Sequence, residues 1–427
     1  MKIEEIYECF LQCTSVTTDT RKIEKESLFI ALKGENFDAN TFAEEAILKG
    51  ASFVIIDNKK YYTNKTKMIL VDNGLETLQN LANFQRHALG LPIIALTGSN
   101  GKTTTKELIN VVLSKKYKTI ATIGNLNNHI GVPLTLLRLQ KDTDIGIVEM
   151  GANHQKEIEF LSKIAAPDFG YITNFGKAHL EGFGGVEGVI KGKSELYNYL
   201  NSNKKLVFVN QDDAIQNEKT KTLSRFTFSE KYDSNVQIQS ISANPFVKIT
   251  YNNIEIQSNL IGIYNATNIA AAITIGKYFN IEDQDIKSAI ENYFPTNNRS
   301  QLIEQNGNHI ILDAYNANPS SMKVALENFI ELESIKKTVF LGDMFELGDS
   351  SIQEHKAIVD LLSNYININC YFIGKYFYAN NIQKSNFFFF ETFDELTNKL
   401  NWKGSPNNYI LIKGSRGMQL ERILQLL

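Results

Sequence analysis

Cysteine is scarce in this chain. Its 427 residues hold three, Cys9, Cys13 and Cys370, with no Cys-x-x-Cys pair and no metal-ligand spacing. That argues against a disulfide framework or a zinc module and fits a reduced compartment. Cys9 and Cys13 have the spacing of two small apolar positions on one helix face. A strong charge bias is also missing: the formal net charge of −3 gives no electrostatic case for nucleic acid. No apolar run approaches the ~20 residues of a membrane span. The start, MKIEEIYECFLQ, lacks a basic segment followed by an apolar one. No internal repeat or low-complexity tract stands out. These absences predict a cytoplasmic chain that neither binds nucleic acid nor inserts into a membrane. What is present, 43% hydrophobic and 21% charged residues, is enough to bury several cores.

The length predicts roughly three domains, and the pattern along the chain agrees. Residues 1–85 mix short β-like runs (SLFIAL, ASFVIID, KMILV) with helices such as 41–49, a small α/β unit. Residues 86–294 open with a strand at 92–97 and alternate strand with helix. DIGIVEM (144–150) and FGYITN (169–174) are apolar enough for buried parallel strands. Residues 205–262 read as short strands, with a hairpin in VKITYNNIEIQ, and a helix at 266–279 follows. Residues 295–427 repeat a Rossmann-like alternation: strand 309–313, helix 319–332, strand 338–341, helix 352–363, strands 370–373 and 409–413, and a terminal helix. Asn318 before Pro319 is a good N-cap, and the phenylalanine run 387–390 reads as a buried strand. The expected fold is therefore α/β in three domains: a small substrate domain, a central P-loop parallel-sheet domain and a Rossmann-like C-terminal domain.

The sharpest signal is TGSNGKTT at 97–104, directly after LPIIAL. A strand that stops at Thr97 and reopens as a helix leaves a tight turn. There Gly98 and Gly101 can take positive φ and admit a ligand to bare backbone. The helix N-terminus favours phosphate, Lys102 adds a full charge, and Thr103 offers a hydroxyl to a phosphate-bound magnesium. The usual first glycine of such a loop is replaced by Leu96, giving the narrower spacing Gly-x-x-Gly-Lys-Thr. The reading is a site for an ATP-type nucleotide.

Ligands collect beyond the carboxyl ends of an open parallel sheet. Glu149, in IVEMGANH, falls at such an end, and His179, in ITNFGKAHL, lies five residues beyond Asn174 at another. Alone, Glu149 reads as a capping or solvated carboxylate and His179 as a satisfied structural histidine. Beside a phosphate loop, the two together become magnesium-shell candidates, directly or through water. His154 reads as surface. Lys193, in VIKGKSELY, is either a solvated helix lysine or the site of a carbamate formed with carbon dioxide. The second needs the neutral amine, present at about one part in a thousand near neutral pH for a lysine of pKa ~10.4. That shortfall, roughly 4 kcal/mol, is about what one charge contact at 4 Å and dielectric ~20 supplies, so a divalent cation could hold the modified form.

With these pieces in place the chain resembles, nearly end to end, the Mur ligases of bacterial peptidoglycan synthesis. The resemblance runs through TGSNGKTTTKE, GNLNNHIGVPLTLL (124–137), EMGANHQKEIEFL and ITNFGKAHLEGFG. DAYNANPSSM (313–322), LGDMFELG (341–348) and LIKGSRGMQLE (411–421) resemble signatures of the branch that joins D-alanyl-D-alanine to UDP-N-acetylmuramoyl-tripeptide. The resemblance implies ATP and two magnesium ions as cofactors, those two compounds as substrates, and a monomer. It implies that Gly98, Ser99, Asn100, Gly101, Lys102, Thr103 and Thr104 form the ATP loop, with Lys102 on the β- and γ-phosphates. Thr103 and Glu149 would serve one magnesium; His179 and a carbamylated Lys193 would serve the second. Asn268, in YNATNIAAA, would contact adenine, and Arg299 and Asp313 would reach the nucleotide on domain closure. Without the family these three read as a helix cap, an exposed cation and a strand-end cap. Asn125, Asn127 and Asn128 would face the muramoyl-peptide, with Asn316 and Asn318 from the C-terminal signature also on the substrate side. Lys413 and Arg416 would hold an anion near the dipeptide or ATP. Asp19, Thr20 and Arg21 match the uridine-nucleotide signature, with Thr20 keeping its hydroxyl. In FDAN, Ala39 replaces a glycine, so a tight backbone contact there is in question. The implied chemistry is attack of the tripeptide carboxylate on the γ-phosphate, then capture of the acyl phosphate by the dipeptide amine.

Overall fold

The computed structural model describes residues 1–296, 298–334, 336–400 and 407–427. Among the described residues three large sheets follow one another along the chain, with a two-stranded ribbon, Lys33–Gly34 and Phe37–Asp38, beside the first. The first is a four-stranded parallel sheet in the order Ser15–Thr17, Ser27–Ile30, Phe53–Ile56, Met68–Leu70. Its middle strands are buried on both faces, as parallel strands under helices must be. Ala39 opens a 3-10 turn, with its methyl group buried against this sheet. The turn is held by Asn40, which bonds Asp38 and Asp57, so the alanine fits without strain. The first helix ends at Phe10, and Cys13 lies beyond it with its thiol donating to Cys9 O at 3.4 Å. Those two cysteines do not share the expected helix face.

The helix Gly74–Leu89 runs across residue 85 and packs on the second sheet's helices. Arg86 on it bonds the Ala166 carbonyl and pairs at 2.6 Å with Asp168, whose carboxylate also accepts from Ile93 N at the start of the next strand. The second sheet has nine strands. Towards one edge lie the adjacent strands Phe169–Ile172, Ile93–Thr97 and Ile145–Glu149, all parallel and largely apolar, with helices on both faces. Its far edge is the hairpin Phe246–Tyr251 and Ile254–Ile261. Asn252 and Asn253 both take positive φ at its turn, as a two-residue hairpin of this hand requires.

The third sheet has six strands, five of them parallel, in the order Gln301–Gln305, Asn308–Asp313, Asn408–Lys413, Lys336–Gly342, Ile368–Ile373, Phe387–Phe390. Three sequence readings are corrected here. The antiparallel strand Gln301–Gln305 was not foreseen. The phenylalanine run forms an edge strand, with Phe387 and Phe390 buried and Phe388 exposed. The chain ends in 3-10 turns, Arg416–Met418 and Leu420–Gln425, in place of an α-helix. Among the described residues no helix is long and apolar enough to cross a membrane.

Candidate active site

The carboxyl ends of those three second-sheet strands and of the third sheet face one cavity of about 1070 Å³. At its floor is the loop after Thr97. Gly98 has φ +142°, and a Cβ there would stand 2.0 Å from Thr173 Oγ1; Gly101 has φ +79°, and a Cβ would stand 2.7 Å from Asn268 Oδ1. Both positions therefore require glycine, for conformation and for space. The next strand end holds the loop from outside. Asn174 O and Oδ1 accept from Ser99 N and Asn100 N, each at 3.1 Å, and Thr173 Oγ1 donates to Asn100 O at 2.6 Å. Gly101 is the N-cap of the helix Lys102–Leu113, so that helix's free N–H groups open on the cavity.

Lys102 is folded back over its own loop, donating to Gly98 O at 2.8 Å and Ser99 O at 3.3 Å. Desolvation pushes its pKa below the ordinary lysine value; Glu149 opposes that shift and Arg299 adds to it. Glu149, 1% exposed, has both oxygens engaged: Oε2 accepts from Thr103 Oγ1 at 2.9 Å and Oε1 from Asn127 Nδ2 at 2.8 Å. Its own N–H donates to Thr122 Oγ1. The expected pairing of Thr103 with Glu149 is thus physically present, and Asn127 joins it. Asn125 and Asn128 also line the cavity, Asn128 by capping the helix at Gly131.

Opposite them stand residues of the third sheet. Asp313 pairs with the buried Lys413, which also donates to Asn316 O at 3.4 Å. The Arg299 guanidinium lies 3.6 Å above the Tyr315 ring. Asn318 caps the helix Pro319–Glu331 and donates from Nδ2 to Asn100 Oδ1 at 2.7 Å, tying the third domain to the phosphate loop. Asn268 is buried, accepting from Thr105 Oγ1 at 3.0 Å and donating to Asn265 Oδ1 at 2.9 Å. His179 lines the cavity in a left-handed conformation, and its Nδ1 bonds Glu346 of the third domain. That contact holds the Glu346 carboxyl below the usual carboxylate range.

Five expected site positions lie elsewhere. Lys193 is 1% exposed and behind the wall, donating to Ala152 O at 3.0 Å, with its Nζ 4.9 Å from the Phe183 ring centre. Burial pushes its pKa well below the ordinary lysine value, and the Lys102 charge adds to the shift. The neutral amine is therefore far more accessible than the sequence estimate allowed. Arg416 points away and pairs with Glu421 at 2.8 Å. Asp19 and Arg21 form an exposed two-pronged pair in the first domain, with Thr20 between them and away from this cavity. Sequence reasoning missed Glu346, Tyr264 and Ser300, and used Asn174 only as a landmark. The signal for Asn174 and Glu346 was their place in the quoted motifs, but nothing in spacing alone paired Glu346 with His179.

Comparison with known proteins agrees in all three parts. The chain matches the models described as "Mur ligase family, catalytic domain" at residues 12–86, "Mur ligase middle domain" at 96–276, and "Mur ligase, glutamate ligase domain" at 298–416. It is 37% identical to the UDP-N-acetylmuramoyl-tripeptide–D-alanyl-D-alanine ligase of Bacillus subtilis over 96% of this chain and 92% of that protein. With the Escherichia coli protein of that name it is 33% identical over 81% and 77%. The crystal structure of MurF from Acinetobacter baumannii superposes with a TM-score of 0.87 at 30% identity, covering 100% of this chain and 98% of that one. The Thermotoga maritima MurF ligase in complex with ADP superposes with a TM-score of 0.83 at 24% identity, covering 98% and 97%.

Proposed function

The chain belongs to the Mur ligase family, and from that premise we propose how its own residues carry the reaction. It is an ATP-dependent ligase that joins D-alanyl-D-alanine to UDP-N-acetylmuramoyl-tripeptide in peptidoglycan precursor synthesis. We assign residues 1–85 to the uridine-nucleotide domain, 86–294 to the ATP domain and 295–427 to the closing domain. We take a monomer as the catalytic unit. We place the reaction in the cytoplasm, where ATP is available.

In the first step the tripeptide carboxylate attacks the γ-phosphorus, ADP leaves and an acyl phosphate forms. In the second, the dipeptide amine attacks the acyl carbon, phosphate leaves and the amine loses a proton. Two anions must meet, so positioning and charge neutralisation dominate. Gly101 and the helix N-terminus present N–H groups to the phosphates, and Lys102 swings off Gly98 O and Ser99 O to join them. Asn268 sits where the base would lie, while Arg299, Asp313 and Lys413 approach from the closing domain. Asn125, Asn127 and Asn128 orient the peptide carboxylate, Asn316 and Asn318 support the dipeptide side, and Asp19 to Arg21 hold the distant uridine end. An acyl phosphate hydrolyses in open water, and the Asn318–Asn100 and His179–Glu346 contacts support a closed cavity that excludes it.

The Thr103 hydroxyl and Glu149 carboxylate form a hard-oxygen pair that fits magnesium. Among the described residues no cluster of three acidic, histidine or cysteine groups exists to cage an ion, so phosphates and water would complete the shell. Magnesium bound there would neutralise phosphate charge. His179 and a carbamate on Lys193, made by adding carbon dioxide to the neutral amine with loss of one proton, would serve a second ion once that side chain leaves Ala152 O and turns towards the cavity.

The observation that carries this reading is the Thr103–Glu149–Asn127 cluster beneath the Asn318–Asn100 bond. The test is ADP release with ATP, UDP-muramoyl-tripeptide and D-Ala-D-Ala. Release should rise only when both substrates are present and should yield the pentapeptide product. ATP turnover indifferent to the dipeptide would overturn the assignment.

A further inference from the structure

Two non-glycine residues on either side of Arg299 sit in the left-handed region, Asn298 at φ +58° and Ser300 at φ +48°. Asparagine adopts this region readily, but a serine holds it only where the surroundings impose it. Here the surroundings come from both domains. The Tyr264 hydroxyl, from the middle domain, meets Ser300 Oγ at 2.8 Å. From the third domain, Asp313 Oδ1 accepts from Ser300 N at 3.1 Å, and Tyr315 N donates to Asn298 O at 3.1 Å. Tyr264 directly precedes Asn265, which holds Asn268 beside the phosphate loop. Polar contacts therefore run from the phosphate-loop helix through Asn268 and Asn265 to Tyr264, and on to the segment between the domains.

We propose that Tyr264 is a positioning residue: its hydroxyl fixes Ser300, and through it the strained linker, so that Arg299 is aimed over the nucleotide pocket when the third domain closes. The proposal rests on the ligase reading above. Among the described residues the Arg299 guanidinium is packed on the Tyr315 ring, a contact that leaves its aim dependent on the backbone that carries it. Arg299 lines the same cavity as Lys102, and its charge adds to the lowering of the Lys102 pKa. The hydroxyl of Tyr264 acts on the linker and not on the substrate.

The test uses the full-length enzyme with Tyr264→Phe, Ser300→Ala and the double variant. Each substitution removes one hydroxyl and leaves the ring or the Cβ in place. Each single variant should lower kcat about tenfold, with KM for ATP changed less than about threefold, as expected when a hydrogen bond serves only the closed state. The double variant should lose no more than about threefold beyond either single one, because both break the same contact. Hydrogen–deuterium exchange of the peptide spanning the linker should speed up about fivefold or more in each variant. Unchanged kcat, losses that multiply in the double variant, or a loss confined to KM for ATP would overturn the proposal. If the unaltered enzyme shows no dipeptide-dependent ADP release, the ligase reading fails. The exchange measurement then decides the linker contact alone: unchanged exchange overturns it. Should Tyr264→Phe melt at a much lower temperature, Ser300→Ala, confined to the linker, carries the same comparison.

Discussion

Asn318 donates a hydrogen bond to Asn100 across 218 positions of chain, while its own Oδ1 caps the helix that begins at Pro319 by accepting from Ser321 N at 2.9 Å. One side chain therefore serves two ends. Its acceptor holds the third domain's first helix, and its donor reads the position of the phosphate loop.

The two roles separate by substitution. Asn318→Ser keeps a cap acceptor but is too short to reach Asn100. Stability should stay within about 0.5 kcal/mol and kcat should fall about tenfold. Asn318→Ala should add a stability loss of about 1 kcal/mol. Thermal melts and steady-state ADP release check both; full turnover in the serine variant would remove the interdomain role.

Lys102→Ala should cut ligation by about a thousandfold or more, since the loop loses its full charge at the phosphates. The melting temperature should move by only a few degrees. Near-normal turnover in this variant would sink the nucleotide-site assignment.

Glu149→Gln preserves shape and leaves Thr103 and Asn127 near their present partners. The negative charge goes, and one acceptor oxygen becomes an NH2 donor that the Thr103 hydroxyl can accept from by turning. Turnover should drop about a hundredfold, and half-saturation by magnesium should move about tenfold higher. A magnesium titration of ADP release is the measurement, and an unshifted midpoint would separate Glu149 from the metal.

Lys193 carries a prediction with a definite sign. Its folded pKa lies well below the ordinary lysine value. Between that lowered pKa and ~10.4 the unfolded chain binds a proton that the folded chain lacks. The lysine therefore costs stability in this window, and the cost shrinks as pH rises. In carbon-dioxide-free buffer Lys193→Met should melt a few degrees higher near pH 7, with the gap closing towards about pH 10. Added bicarbonate should raise both melting temperature and turnover of the unaltered protein and leave the methionine variant unmoved. A bicarbonate-insensitive parent enzyme would end the carbamate proposal.

The phosphate loop, Glu149 and the hairpin at Asn252–Asn253 were readable because local chemistry decides them: a glycine that must turn, a carboxylate at a strand end, paired asparagines at a tight bend. The terminal helix was misread because LERILQLL has helical spacing, yet tertiary contacts draw it into a 3-10 turn under the last strand. The edge position of the phenylalanine strand was hidden because apolar runs give burial without saying which neighbour is absent. Glu346 and Ser300 were out of reach for another reason. Each acquires its partner only when separate domains meet, and no spacing in the chain encodes that meeting.

The resting position of Lys102 has a bearing on selectivity. Two of the three N–H donors of its ammonium are spent on carbonyl oxygens of its own loop, so an anion that draws the lysine away must break both bonds. A competitor must repay both lost bonds before it gains anything. A triphosphate gripping helix amides along its length has more contacts to set against those two bonds than a lone inorganic anion has.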